Sequence, residues 1–92
     1  MKLQVFSLYD EKAKAYNTPQ YMAHKGEAIR ALQTTLDQKE SMIAKYPEDY
    51  SLYKLGEFET NTGEIVGITP PELVLRATEL KEEKSELQVE SV

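Results

Sequence analysis

The stretch that most constrains the fold is a pair of β-rich runs, Ser51–Thr60 and Glu64–Thr69, separated by Asn61-Thr62-Gly63. That short polar loop offers a glycine for a positive-φ position, so the pair predicts an antiparallel hairpin. Strand side chains alternate between faces, which puts Ile65 on one side and Val66 and Ile68 on the other. A strand apolar on both sides needs cover on both. Gly56, inside the first run, predicts a bulge or a close approach of two backbones.

A third strand is expected at Met1–Tyr9, where Leu3 and Val5 point one way and Phe6 and Leu8 point the other. Asp10–Ala23 is irregular. Asn17-Thr18-Pro19 reads as a turn, with Ala15-Tyr16 and Gln20-Tyr21-Met22 as short extended pieces on either side. Ala28, Ile29, Leu32 and Leu36 recur at helical spacing and predict a helix from near Lys25 to about Lys39, with Glu27 at the positive end of its dipole. Ser41–Lys45 adds a short turn that buries Met42 and Ile43, and Tyr46-Pro47-Glu48-Asp49-Tyr50 is a break. Thr69-Pro70-Pro71-Glu72 has the spacing of a capping box, which predicts a final helix over Glu72–Leu80 with Leu73, Ala77 and Leu80 on its apolar stripe.

The expected fold is therefore α+β: a small three-stranded, mainly antiparallel sheet in β-α-β-β order, one packed helix and a C-terminal helix. Its 92 residues make a single domain over 1–77, followed by an acidic tail over 78–92. In the tail Glu79/Glu83 and Glu82/Glu86 are like-charge i,i+4 pairs, so a fraying or disordered segment is expected there. One helix covers one face of such a sheet. The other face needs the Leu73–Leu80 helix or a second copy, and a homodimer is the expected solution.

Zero cysteines exclude a disulfide scaffold and thiolate metal sites, and no apolar run is long enough to span a membrane. The reading is a cytoplasmic domain without cofactor or metal. His24 is the one histidine and reads as a surface or helix-cap residue, and Glu48-Asp49 as a solvated turn. No phosphate loop, dinucleotide fingerprint or nucleophile elbow is present, so no enzyme activity is expected.

The net charge of −5 conceals an asymmetry. Residues 1–46 carry seven Lys/Arg against five Asp/Glu, whereas residues 47–92 carry four against eleven. Tyr9, Tyr16 and Tyr21 lie in the slightly basic half with Lys12, Lys14, Lys25 and Arg30. Rings that stack on unpaired bases, together with cations that track phosphates, are the equipment of single-strand binding. The candidate DNA contacts are Lys12, Lys14, Lys25 and Arg30 on phosphates and Tyr16 and Tyr21 on bases. Tyr46, Tyr50 and Tyr53 sit beside acids and are expected to pack.

Val5-Phe6-Ser7-Leu8-Tyr9-Asp10 with Lys12-Ala13, Gly26-Glu27-Ala28-Ile29-Arg30, Tyr46-Pro47-Glu48-Asp49-Tyr50-Ser51-Leu52-Tyr53, and Leu55-Gly56-Glu57-Phe58 with Gly63 occur in that order. The series resembles the small nonstructural protein of gokushovirus-type microviruses, phages with single-stranded DNA genomes. The resemblance covers roughly residues 3–75 and implies a non-capsid protein of the infected bacterium's cytoplasm. It also implies DNA binding and a part in shifting viral replication to single-stranded genome synthesis ahead of packaging. The alternative expectation is a protein–protein adaptor that acts on the replication initiator or the procapsid without touching DNA.

Overall fold

The computed structural model describes residues 1–80. Its elements are β1 (Lys2–Asp10), β2 (Ala15–Tyr16), β3 (Gln20–Met22), α1 (Lys25–Asp37), α2 (Met42–Lys45), a single 3-10 turn (Pro47–Asp49), β4 (Tyr50–Glu59) and β5 (Ile65–Arg76). Residues 77–80 are helical. The fold is α+β with an antiparallel sheet, as expected, but the sheet has five strands rather than three. The order is β2-β1-β4-β5, and β3 also pairs with β1. The extra strands are the two short extended pieces on either side of Asn17-Thr18-Pro19. Both lie along the outer edge of β1, where they pair backbone groups that would otherwise stay open.

The larger departure is at the C-terminal side. The helix expected over Glu72–Leu80 is instead the second half of β5, up to Arg76. Leu75 pairs with Leu52, Leu73 with Tyr53 and Glu72 with Lys54. The capping-box spacing was outweighed by β4, a ten-residue strand whose second edge needs a ladder along its whole length. Val74 and Leu75 also reach the core from the strand. Between the Gly56–Gly67 and Lys54–Glu72 pairs the ladder breaks, and Ile68-Thr69-Pro70-Pro71 loops out of register. Two residues without an N–H are tolerated there because this strand forms the sheet edge.

The core lies between one sheet face and α1. Phe6, Ala28, Leu32, Leu52 and Leu80 form the buried cluster, with Leu8, Met22, Ile29, Leu36, Val74 and Leu75 packed around it. The helix starts at His24, which gives no side-chain cap. Glu27 compensates one turn in, where its carboxylate accepts the Ala23 N–H at 3.2 Å and lies 3.8 Å from His24 Nε2. Ser41 caps α2 by accepting the Ala44 N–H at 3.0 Å; of that helix Ala44 is buried and Ile43, as expected, packs partly buried against the core. Met42, expected inside, is 57% exposed. Leu80 belongs to the core cluster, so residues 78–80 are part of the packed structure. The expected disorder of the acidic tail, beyond Leu80, lies outside the described residues.

Candidate functional site

The helical pieces that reach the core, α1, α2 through Ile43 and residues 77–80, all join the cluster on the Phe6 face of the sheet. The expected cover of the second face by the Leu73–Leu80 segment is therefore absent, because half of that segment is strand. The register shows what the second face carries, since partners across an antiparallel ladder share a face. Tyr16, Tyr9, Ser51 and Arg76 form one row. Ser7, Tyr53 and Leu73 form the next, followed by Tyr21, Val5, Gly56 and Gly67, and then Leu3, Phe58 and Ile65.

Two aromatic groups stand on this face. Tyr9, Tyr16 and Tyr53 meet edge to face, with ring centroids 4.8, 6.2 and 5.6 Å apart. Tyr21 and Phe58 form a second edge-to-face pair at 5.7 Å. Such contacts fix ring orientation and contribute about 0.5–1.5 kcal/mol per pair. On β4 and β5 the row that begins with Tyr21 and Val5 ends in Gly56 and Gly67, which carry no side chain and leave the sheet low there. Tyr16 and Tyr21 stay 41% and 50% exposed. Among the described residues the face is thus an aromatic platform with exposed rings, while Val5 and Ser7 in the same rows are buried.

Cations border one end of it. The β1–β2 hairpin turns over Glu11–Lys14, and Asp10 shapes the turn by accepting the Lys12 and Ala13 N–H groups on its carboxylate at 2.9 and 3.2 Å. Lys14 adopts a positive φ of 57°, where glycine or asparagine is the ordinary choice. A lysine there keeps a second cation at the tip, beside the Tyr9–Tyr16 pair. Arg76 ends the same row from the other side of the sheet.

The family model described as "Phage ORF5 protein" matches residues 3–80. The chain belongs to this phage protein family. No curated protein and no solved structure matches it. The matched span takes in all of the sheet but Lys2, with both aromatic groups and the Lys12–Lys14 turn.

Of the six residues expected to touch DNA, four border or stand on the platform: Lys12 and Lys14 in the turn, Tyr16 on β2 and Tyr21 on β3. Lys25 and Arg30 belong to α1, exposed on the layer that covers the opposite face. Their basic charge is therefore not gathered with the tyrosines. Sequence reasoning missed Tyr53, Phe58 and Arg76, and assigned Tyr53 to packing because acids are nearby in the chain. The available signal was strand parity: Ser51, Tyr53 and the residues opposite them share one face of the hairpin.

Burial raises the Tyr16 phenol pKa, and the neighbouring Tyr53 and Tyr9 add to the effect. Burial also raises Tyr50, helped by the Asp10 carboxylate, its hydrogen bond and Asp49. A phenol with a raised folded-state pKa contributes stability that is complete below the unfolded value of about 10 and fades as pH rises through the folded value. Alkaline titration followed at the tyrosinate absorbance should show a late-ionising fraction that vanishes in denaturant. A folded protein whose six tyrosines all titrate together at the denatured value would contradict this.

Proposed function

We propose that this phage protein is a non-enzymatic accessory protein that binds single-stranded DNA on its aromatic sheet face. The observation that carries the reading is the platform itself: the Tyr9, Tyr16 and Tyr53 cluster and the Tyr21–Phe58 pair on one sheet face. Bases stack on such rings whatever their sequence, and lysines track the phosphates between them. Phosphate contacts fall to Lys12, Lys14 and Arg76, which border the platform, while Lys25 and Arg30 lie on α1. The acidity of the second half of the chain limits the number of such contacts, so stacking supplies most of the affinity. The role in the infected cell is to help a microvirus of the gokushovirus type shift replication to single-stranded genome synthesis ahead of packaging, in the bacterial cytoplasm.

Oligonucleotide binding measured across a salt series tests this. Affinity should fall as salt rises, and Lys12→Glu with Lys14→Glu should flatten the logarithmic salt slope by about two. Tyr16→Ala and Tyr21→Ala, at exposed positions, should each weaken binding by about 1–3 kcal/mol and leave the salt slope unchanged. Absence of binding at low salt, or binding indifferent to the lysine changes, would refute the proposal. The homodimer expected from the sequence would lay its second copy on this same face. The two occupants then exclude each other, and sedimentation with and without oligonucleotide separates them by mass.

A second reading, the adaptor without DNA contact, draws on the far end of the sheet. Met1, Ile65 and Val66 are 65%, 64% and 52% exposed there. Capture of the viral replication initiator or a capsid protein, lost on Ile65→Lys with Val66→Lys, would favour it.

A further inference from the structure

Beside the platform lies a cleft of about 700 Å³ between α1 and the β2–β3 connection. Its volume is within the range of small-ligand sites. The floor is apolar, from Phe6, Leu52 and Met22, and α1 presents the small residues Ala28 and Ala31 to it. Small side chains at helical spacing leave the groove unfilled by the protein itself.

The connection that forms the outer wall is pinned in place. The Ser7 hydroxyl donates to the Asn17 carbonyl at 2.6 Å, and the Asn17 N–H donates to the Leu8 carbonyl at 2.8 Å. These bonds use the Ser7 side chain and the Asn17 backbone. The side chains of Asn17, Thr18 and Gln20 also line the cleft and make no hydrogen bond among the described residues. They offer amide donors and acceptors along an apolar slot. Among the described residues, no Lys, Arg, Asp, Glu or His lines it. A phosphate, a carboxylate or an ammonium group would find no counter-charge, whereas a flat ring with polar edges would find both a floor and edge partners.

We infer that this cleft binds one neutral heteroaromatic ring, a nucleobase of the strand held on the platform. The choice of a nucleobase rests on the DNA-binding reading, whereas the exclusion of charged ligands follows from the lining alone. Tyr16 joins the two regions, since it stands in the platform and also lines the cleft. A strand stacked on Tyr16 can therefore turn one base over the sheet edge into the slot.

The test uses the four free deoxynucleosides, which carry no phosphate, titrated into the full chain and followed by NMR. At least one should shift the Ala28 and Ala31 methyls and the Asn17 and Gln20 side-chain amides in a saturable way. Ala31→Phe, a change at an exposed helix position that fills the slot, should abolish those shifts. Asn17→Ala with Gln20→Ala should weaken them roughly tenfold, and serves as the readout if the phenylalanine variant does not fold. Failure of every nucleoside to shift the cleft, shifts confined to the platform tyrosines, or shifts that survive Ala31→Phe would each overturn the inference. Oligonucleotide binding in the salt series reports on the platform separately. Oligonucleotides that bind without any nucleoside entering the cleft would remove this inference alone, whereas nucleosides that enter without oligonucleotide binding would remove the platform reading and, with it, the assignment of the ring to a bound strand.

Discussion

Phe6→Ala should lower the unfolding free energy by about 3–5 kcal/mol, the range for deleting a fully buried aromatic ring. Phe6 is 1% exposed and is the largest fully buried side chain among the described residues. It lies at the centre of the cluster in which α1 meets the sheet through Ala28 and Leu32, and β4 and the C-terminal turn through Leu52 and Leu80. The void therefore touches every element that closes the core, and no single neighbour can move to fill it without leaving the others. Small domains have only about 5–15 kcal/mol of stability in all. The urea midpoint should thus fall by a large fraction with little change in slope, followed by far-UV circular dichroism. A loss under about 1.5 kcal/mol would mean that the core relaxes around the deletion and is not closed by this ring. Tyr46→Ala, at a 46% exposed position, is the control and should stay within about 0.5 kcal/mol of the parent.

Gly56→Ala should cost about 3 kcal/mol, the upper end of the range for overpacking, although it adds a single methyl group. A Cβ at Gly56 would fall on the Val66 carbonyl oxygen and lie 3.1 Å from the Gly67 Cα. All its near neighbours are backbone, so no side chain can swing aside, and β4 and β5 would have to part where their ladder already shifts register. Gly67, the direct partner, makes the contrast. A Cβ there meets no heavy atom nearer than the Leu55 carbonyl oxygen at 4.0 Å. Gly67→Ala should therefore be close to neutral while Gly56→Ala lowers the melting temperature sharply and exposes the Val66 amide to hydrogen exchange. Equal effects at the two positions would overturn the argument. The comparison bears on the candidate site too, because Gly56 and Gly67 lie in the row of Tyr21 and beside the row of Phe58.

How much of this could be read from the chain differs by element. The hairpin, the bulge at Gly56, the positive φ at Gly63, the α1 stripe and even the short extended pieces around Pro19 follow from local rules of alternation, helical spacing and turn chemistry. The Gly63 φ of 78° and the observed bounds of β2 and β3 agree with them. Thr69–Glu72 misled because a capping box is a local signal too, and nothing local records that β4 has an open edge beside it. The candidate site was half legible. Lys12, Lys14, Tyr16 and Tyr21 were found from residue type and nearby charge, but Lys25 and Arg30 were grouped with them by closeness in sequence. Tyr53 was set aside for its acidic sequence neighbours, which as strand residues point to other directions than the ring itself.

Alternation, spacing and turn residues by themselves determined that this chain makes an antiparallel hairpin, a further N-terminal strand and one amphipathic helix, because each depends on residues a few positions apart. Only the tertiary structure decided which face of the sheet the helices leave open. That choice depends on β4 pairing with Leu73–Arg76 rather than yielding them to a helix, a contest between backbone hydrogen bonds along a whole edge and a capping box of four residues. Once the edge won, Leu80 was drawn to the Phe6 side. Tyr9, Tyr16, Tyr53, Tyr21 and Phe58, scattered over fifty residues of chain, were left side by side on the other.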